Sequence, residues 1–212
     1  MTTIVEEVLL LAYSEDEGKQ LVGSLQLDAA LGGALLAELA INDRIDLSGK
    51  KVTVKDTTPL GDPELDATLS RIAEDKERKP DRWVYKLYSN KLRKRLLTGL
   101  AERGVLGEEH RKVLGIFPSS RYPERDPRIE QAVRERVQNV LNGAEPDERV
   151  AVLIAILHAA KIDRKAFPGA SKERIKEIAE GDWVGDAVAK TIASINAAII
   201  AGGAAAAAGA AG

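Results

Sequence analysis

The sequence predicts a mainly α-helical protein that folds as a single compact domain around a central hydrophobic helix. The main observation is the stretch VAVLIAILHAA, which begins at Val150, ends at Ala160 and has His158 as its only polar residue. A helix that is apolar on every side must be buried in protein or in a membrane. These 11 residues span only about 16 Å, roughly half of the hydrocarbon layer, and charged residues flank them. We therefore expect burial in protein, with Asp147 at the start as a cap.

Apolar residues at helical spacing predict the other helices, and two glycine-bearing turns predict small β-hairpins. The pair Gly32-Gly33 is costly inside a helix, which indicates either close helix packing or a surface that another molecule approaches. We place the domain at residues 1–200 and a flexible Ala/Gly-rich tail at residues 201–212. The predicted helices are 4–12, 27–41, 82–106 with a break near Ser89, 128–141, 172–180 and 186–200, and the hairpins are 45–54 and 108–121, the latter with VLGIF as its strand.

The composition limits the functions that the chain can have. It has no cysteine and two histidines, so thiolate catalysis is excluded and little material remains for a metal site or acid–base chemistry. We expect His158 to be a core histidine bonded to a backbone carbonyl. No nucleotide-binding or hydrolase motif occurs, and Asp62 and Asp66 are expected to be turn anchors. The acidic start is unlike a secretory signal. We expect a cytoplasmic protein that is no enzyme and needs no cofactor or metal.

A basic run is the clearest candidate for a binding site. Its charges are concentrated on one predicted helix of a chain whose net charge is -2, and they suit an anionic headgroup, although such stripes are often only solvated. Trp83, Tyr85 and Tyr88 lie just upstream and suit a membrane-interface edge, with Trp83 also a candidate for the core. The basic residues are Lys86, Lys91, Arg93, Lys94, Arg95 and Arg103.

Six segments in sequence order resemble the Golgi phosphoprotein 3-like family of peripheral membrane proteins, across most of the chain. The composition, rich in alanine, is similar to that of the bacterial, actinobacterial-type branch. The segments are EEVLLLA from residue 6, EG from 17, ALLAELAINDRIDL from 34, TPLGDPELDATL from 58, RKRLLTGLAERGVL from 93 and LIAILHAA from 153.

The resemblance implies a compact helical fold that binds phosphatidylinositol 4-phosphate through one Trp and three Arg. In this sequence the Trp position is Gly23, two of the Arg positions are Gly32 and Asn90, and Arg93 is retained. We therefore assign headgroup binding to Arg93, with Lys91 and Lys94 as partial substitutes for the missing arginines. The family's self-association hairpin corresponds to residues 108–121, where the apolar side chains are Val113, Leu114, Ile116 and Phe117.

The leading interpretation is a peripheral membrane protein that binds an anionic phospholipid headgroup, self-associates and has protein partners. Two alternatives remain. One is a protein-interaction scaffold without lipid affinity, which the missing Trp and Arg residues favour. The other is a winged-helix-like nucleic-acid binder, suggested by the repeated helix-plus-hairpin pattern; the net negative charge argues against a nucleic-acid partner.

Overall fold

The computed structural model of the chain describes residues 2–14, 17–48, 50–113, 117–181, 183 and 186–209. It confirms a mainly α-helical fold with two antiparallel hairpins. The helices are α1 (Ile4–Leu11), α2 (Ser24–Ile41), α3 (Pro63–Glu74), α4 (Pro80–Leu87), α5 (Asn90–Glu102), α6 (Pro127–Leu141), α7 (Glu148–Ala159), α8 (Asp163–Ala166), α9 (Lys172–Glu180) and α10 (Asp186–Gly209). The strands are β1 (Ile45–Ser48), β2 (Lys51–Val54), β3 (Glu109–Val113) and β4 (Phe117–Arg121).

The hydrophobic helix α7 is buried as predicted. Its start is fixed by Asp147, whose side chain accepts a hydrogen bond of 2.8 Å from the Val150 amide. Nearly every residue from Val150 to Ala159 is buried, and α7 packs against α2, α9 and α10. His158 corrects our expectation, because its Nδ1 lies 2.8 Å from Asp163 Oδ2 and its side chain is part-exposed. The histidine is therefore paired with a carboxylate at the end of α7.

Helix α2 shares the centre of the fold with α7, which the sequence analysis did not predict. It contacts α1, α3, α4, α5, α7 and α10. By length and composition α2 is the one helix among the described residues that could cross a membrane, yet 78% of it is buried inside the protein. These contacts make α2 a core helix.

The two glycines of α2 are explained by close helix packing on both sides. A Cβ on Gly32 would lie 3.1 Å from the Val84 carbonyl oxygen of α4. A Cβ on Gly33 would lie 2.5 Å from Ile199 Cδ1 of α10. A larger side chain at either position would push a neighbouring helix away.

The hairpins differ in how well they were predicted. In the first, β1 pairs with β2 from Ile45↔Val54 to Ser48↔Lys51, as expected. In the second, Val113 ends β3 and pairs with Phe117, which begins β4. VLGIF is therefore not a single strand, and that prediction was wrong. Leu114 and Ile116 lie outside the described residues.

Helix α10 is longer than predicted. The helix runs through the proposed boundary at residue 200 to Gly209. The division into a domain at residues 1–200 and a tail at residues 201–212 stays a prediction.

Candidate functional site

The predicted headgroup-binding residues Lys91, Arg93 and Lys94 lie in the first turns of α5, and Arg93 contacts the start of α2. Ser89 caps α5 by accepting hydrogen bonds from the amides of Lys91 and Leu92. Arg93 Nη1 lies 3.4 Å from the Ser24 carbonyl oxygen and 3.2 Å from Gln20 Oε1. The first turns of α2 and α5 are therefore adjacent. We call this surface the α2–α5 edge, defined by Gly23, Ser24, Leu25, Tyr85, Tyr88, Asn90, Lys91, Arg93 and Lys94.

Most of the basic run is neutralised by carboxylates. Lys86 pairs with Asp75 and Arg103 with Glu6, while Arg95 Nε lies 2.5 Å from Glu64 Oε1. Arg93 itself pairs with Asp28. Within the described part of the chain, Lys91 and Lys94 are the residues of the run that form no salt bridge, and both are exposed. Their charges remain available to an anionic ligand.

The start of α2 adds a second source of positive potential. Gly23 occupies the N-cap position and supplies no side-chain hydrogen bond, and the first turn contains no acidic residue. The amides of a helix start point outward and carry a partial positive charge. The edge therefore combines two lysines with an uncapped helix start, an arrangement that favours a phosphate or carboxylate.

Exposed apolar side chains border the same edge. Leu25 in the first turn of α2 is 45% exposed and Tyr85 on α4 is 75% exposed. Tyr85 stacks on Tyr88 with ring centroids 6.3 Å apart. Leu25, Tyr85 and Tyr88 line an open groove of about 490 Å³ whose opposite wall is α10. Trp83, by contrast, is fully buried, so it belongs to the core.

Arg93 lies deeper than the lysines, in a polar pocket below the surface. Its Nη1 is 3.3 Å from Asp28 Oδ1, and the two side chains are only 15% and 5% exposed. Burial raises the pKa of the Asp28 carboxyl, while the positive charge of Arg93 lowers it. Burial also raises the pKa of the Tyr13 phenol to about 12 and that of Tyr88 above its ordinary value.

The other positions that the resemblance assigns to a headgroup site differ from one another in the space around them. Gly23 is exposed, and a Cβ there would have no neighbour within 4 Å. Asn90 is exposed as well. Gly32 is buried against the backbone of α4, so no arginine fits there without moving α4.

Sequence reasoning missed Asp28, Gln20 and Leu25. Asp28 had a detectable signal, because it is the only acid in the first three turns of an otherwise apolar helix. An acid on a buried face usually has a cationic partner. Its partner is 65 residues away (93 − 28) and could not be identified without the fold.

Fold and edge together define a mainly helical protein with a cationic edge and exposed apolar side chains near it. The sequence model of the Golgi phosphoprotein 3 (GPP34) family matches residues 4–195, and the chain therefore belongs to this family. It is also similar to the vacuolar protein sorting-associated protein 74 of Eremothecium gossypii, with 26% identity over 162 residues. That match covers 66% of this chain and 49% of the relative, so the chain spans about half the length of this curated relative.

Proposed function

We propose that this protein is a non-enzymatic peripheral membrane protein that binds anionic phospholipid headgroups at the α2–α5 edge. The observation that carries the proposal is the pair of exposed lysines, Lys91 and Lys94, in the first turns of α5, the helix whose Arg93 contacts the uncapped start of α2. Each basic residue near an anionic membrane contributes about 1 kcal/mol to binding. Membership of the Golgi phosphoprotein 3 family supports a membrane-associated role at the level of the family.

Leu25 and Tyr85 provide the apolar part of the same interaction. A tyrosine placed at a membrane surface buries its ring in the interfacial layer and keeps its hydroxyl in water. A leucine beside it adds roughly 25 cal/mol for each Å² of apolar surface removed from water. Both side chains are exposed, and both line the groove between α2, α4 and α10.

The headgroup preference that we propose is weak. The resemblance places a Trp and two Arg where this chain has Gly23, Gly32 and Asn90, and Arg93 already forms a salt bridge with Asp28. Lysines bind phosphate as point charges, without the bidentate geometry of arginine. We therefore expect the edge to respond to total negative charge more than to phosphatidylinositol 4-phosphate.

Vesicle co-sedimentation tests this proposal. Vesicles of neutral lipid, of neutral lipid with a generic anionic lipid, and of neutral lipid with phosphatidylinositol 4-phosphate are compared at matched surface charge. We expect binding to both anionic kinds and a decrease as salt rises. Binding only to phosphatidylinositol 4-phosphate would contradict the weak preference, and binding to none would leave the protein-interaction scaffold as the better description. We propose no nucleic-acid partner, because most of the basic run is already paired with carboxylates.

We also propose that the protein self-associates through the hairpin at residues 108–121. Its backbone forms an antiparallel pair with Glu109↔Arg121 and Val113↔Phe117 in register. A two-stranded hairpin has unpaired backbone groups along its outer edges, which a second copy can pair. Light scattering on the chain with this hairpin replaced by a short Gly/Ser linker should give a lower mass than wild type. An unchanged mass would contradict the proposal.

A further inference from the structure

Arg93, the retained arginine of the edge, has an acidic partner within the same protein. Its Nη1 lies 3.3 Å from Asp28 Oδ1, and its other contacts are the acceptors Gln20 Oε1 and the Ser24 carbonyl oxygen. Among the described residues Asp28 Oδ1 accepts no hydrogen bond that would hold it elsewhere. The carboxylate therefore depends on Arg93 for its stabilisation.

Burial makes this dependence strong. Asp28 is 3% exposed and its neighbours Leu27 and Ala29 are fully buried. A carboxylate in such surroundings is poorly solvated, which is why burial raises its pKa. A partly buried pair of opposite charges is held together because either charge alone would be costly. Arg93 is thus an already satisfied cation in the absence of any ligand.

A lipid phosphate that approaches Arg93 meets both charges. The guanidinium attracts the phosphate, but the carboxylate 3.3 Å from the guanidinium repels it. At distances larger than this separation the two effects largely cancel, since the pair has no net charge. Only Lys91 and Lys94 then attract the phosphate from the surface.

We propose that Asp28 is an internal counterion that competes with the lipid headgroup for Arg93 and thereby keeps the affinity and selectivity of the α2–α5 edge low. This inference rests on the proposed function of that edge. The competition has a simple consequence for variants of the protein. Replacement of Asp28 by a neutral residue of the same shape releases the full charge of Arg93 toward the membrane.

The variant Asp28→Asn tests the proposal, measured by co-sedimentation on vesicles with a generic anionic lipid and on neutral vesicles. We expect Asp28→Asn to bind the anionic vesicles about five- to tenfold more tightly than wild type, as one additional basic charge at the surface predicts. Asp28→Asn/Arg93→Gln should lose this gain relative to Arg93→Gln alone. Asp28→Ser provides a smaller neutral side chain if Asn is not tolerated, and circular dichroism checks the fold of each variant.

The matched control is Glu177→Gln on α9. It changes the net charge by the same amount and likewise removes the acid that pairs with an arginine, Arg174, at 3.0 Å. Glu177 is 59% exposed, so its replacement should not disturb the fold. We expect binding close to that of wild type, because α9 packs on α7, away from the edge.

The outcomes separate this inference from the proposed function. If wild type binds and Asp28→Asn binds equally, or if the gain persists without Arg93, the competition is refuted while the lipid-binding function stands. An equal gain in Glu177→Gln would also refute it, since net charge alone would then explain the change. If wild type fails to bind but Asp28→Asn binds, the competition is supported in its strongest form. If neither binds, both proposals fail.

Discussion

At the residue scale, the lipid binding that we propose for the edge can be tested at position 90. Asn90 is exposed in the first turn of α5, next to Lys91 and one turn before Lys94. We expect Asn90→Arg to strengthen binding to anionic vesicles about fivefold, because one basic residue near the surface contributes about 1 kcal/mol. The control is Asn139→Arg, the same change at an exposed position of α6. An equal effect of both substitutions in co-sedimentation would contradict the assignment of the site.

Tyr13 reports on the polar pocket beneath the edge. Its ring packs edge-on against Tyr122 with centroids 6.1 Å apart, and burial raises the pKa of its hydroxyl to about 12. A raised pKa means that the folded state keeps the neutral phenol while the unfolded state ionises near pH 10. The contribution of Tyr13 to the free energy of unfolding is therefore complete below about pH 10 and is lost as the pH rises toward 12.

Ultraviolet absorbance of tyrosinate measures this shift, since the protein has four tyrosines. Tyr13→Phe should remove the component that ionises near pH 12 while the protein remains folded. Loss of a component near pH 10 would show instead that Tyr13 is solvated, and the pocket around Asp28 and Arg93 would then be more open than described.

At the scale of the elements, the position of α2 depends on Gly33. Gly33→Ala places a Cβ 2.5 Å from Ile199 Cδ1, and overpacking of this kind typically costs about 1–3 kcal/mol. That cost exceeds the roughly 1 kcal/mol that alanine gains over glycine inside a helix. We therefore expect a lower melting temperature for Gly33→Ala.

Gly99 on α5 is the matched comparison for Gly33. A Cβ there has no neighbour within 4 Å, so Gly99→Ala gains the helix propensity without a packing cost. We expect its melting temperature to rise. If Gly33→Ala raised the melting temperature as Gly99→Ala does, the close packing of α10 against α2 would be contradicted.

The elements also show which parts of the fold could be predicted from the sequence. Helix α7 was predicted because it is apolar on all sides, and the break before α5 because Ser89 and Asn90 interrupt the pattern. The start of α2 was placed three residues late, at residue 27, because Gly23 and Ser24 give only a weak start signal. The strand assignment of VLGIF failed because a run of apolar residues does not reveal where one strand ends and the next begins.

The candidate site could be predicted only in part, for a physical reason. The lysines were found because charge on a helix surface is visible in the sequence. The sequence did not show that these lysines are free to bind an anionic ligand, because that depends on which carboxylates the fold brings near each cation. Glu64 lies 31 residues from Arg95 and Glu6 lies 97 residues from Arg103, so these pairings are set by tertiary packing alone.

At the scale of the whole molecule, the ion pairs of Glu38 and Glu7 lie at the opposite end of α2 from the α2–α5 edge. Glu38, near the end of α2, accepts a hydrogen bond of 2.6 Å from Arg149 of α7, while Glu7 of α1 pairs with Arg136 of α6 at 2.8 Å. Glu38 is about 21 Å from Ser24 along the helix axis, at about 1.5 Å for each residue. Substitutions at the edge should therefore leave this network and the fold intact.

The same separation makes charge reversal the most direct test of the central claim, that the α2–α5 edge binds anionic membranes. Lys91→Glu/Lys94→Glu is compared with Lys172→Glu/Lys176→Glu on α9, which changes the net charge equally at exposed positions. Co-sedimentation on vesicles with a generic anionic lipid should show a loss of at least about 30-fold for the first variant, since two basic residues contribute about 2 kcal/mol. The second variant should bind nearly as well as wild type. Equal losses in both variants, or no loss in the first, would contradict the claim.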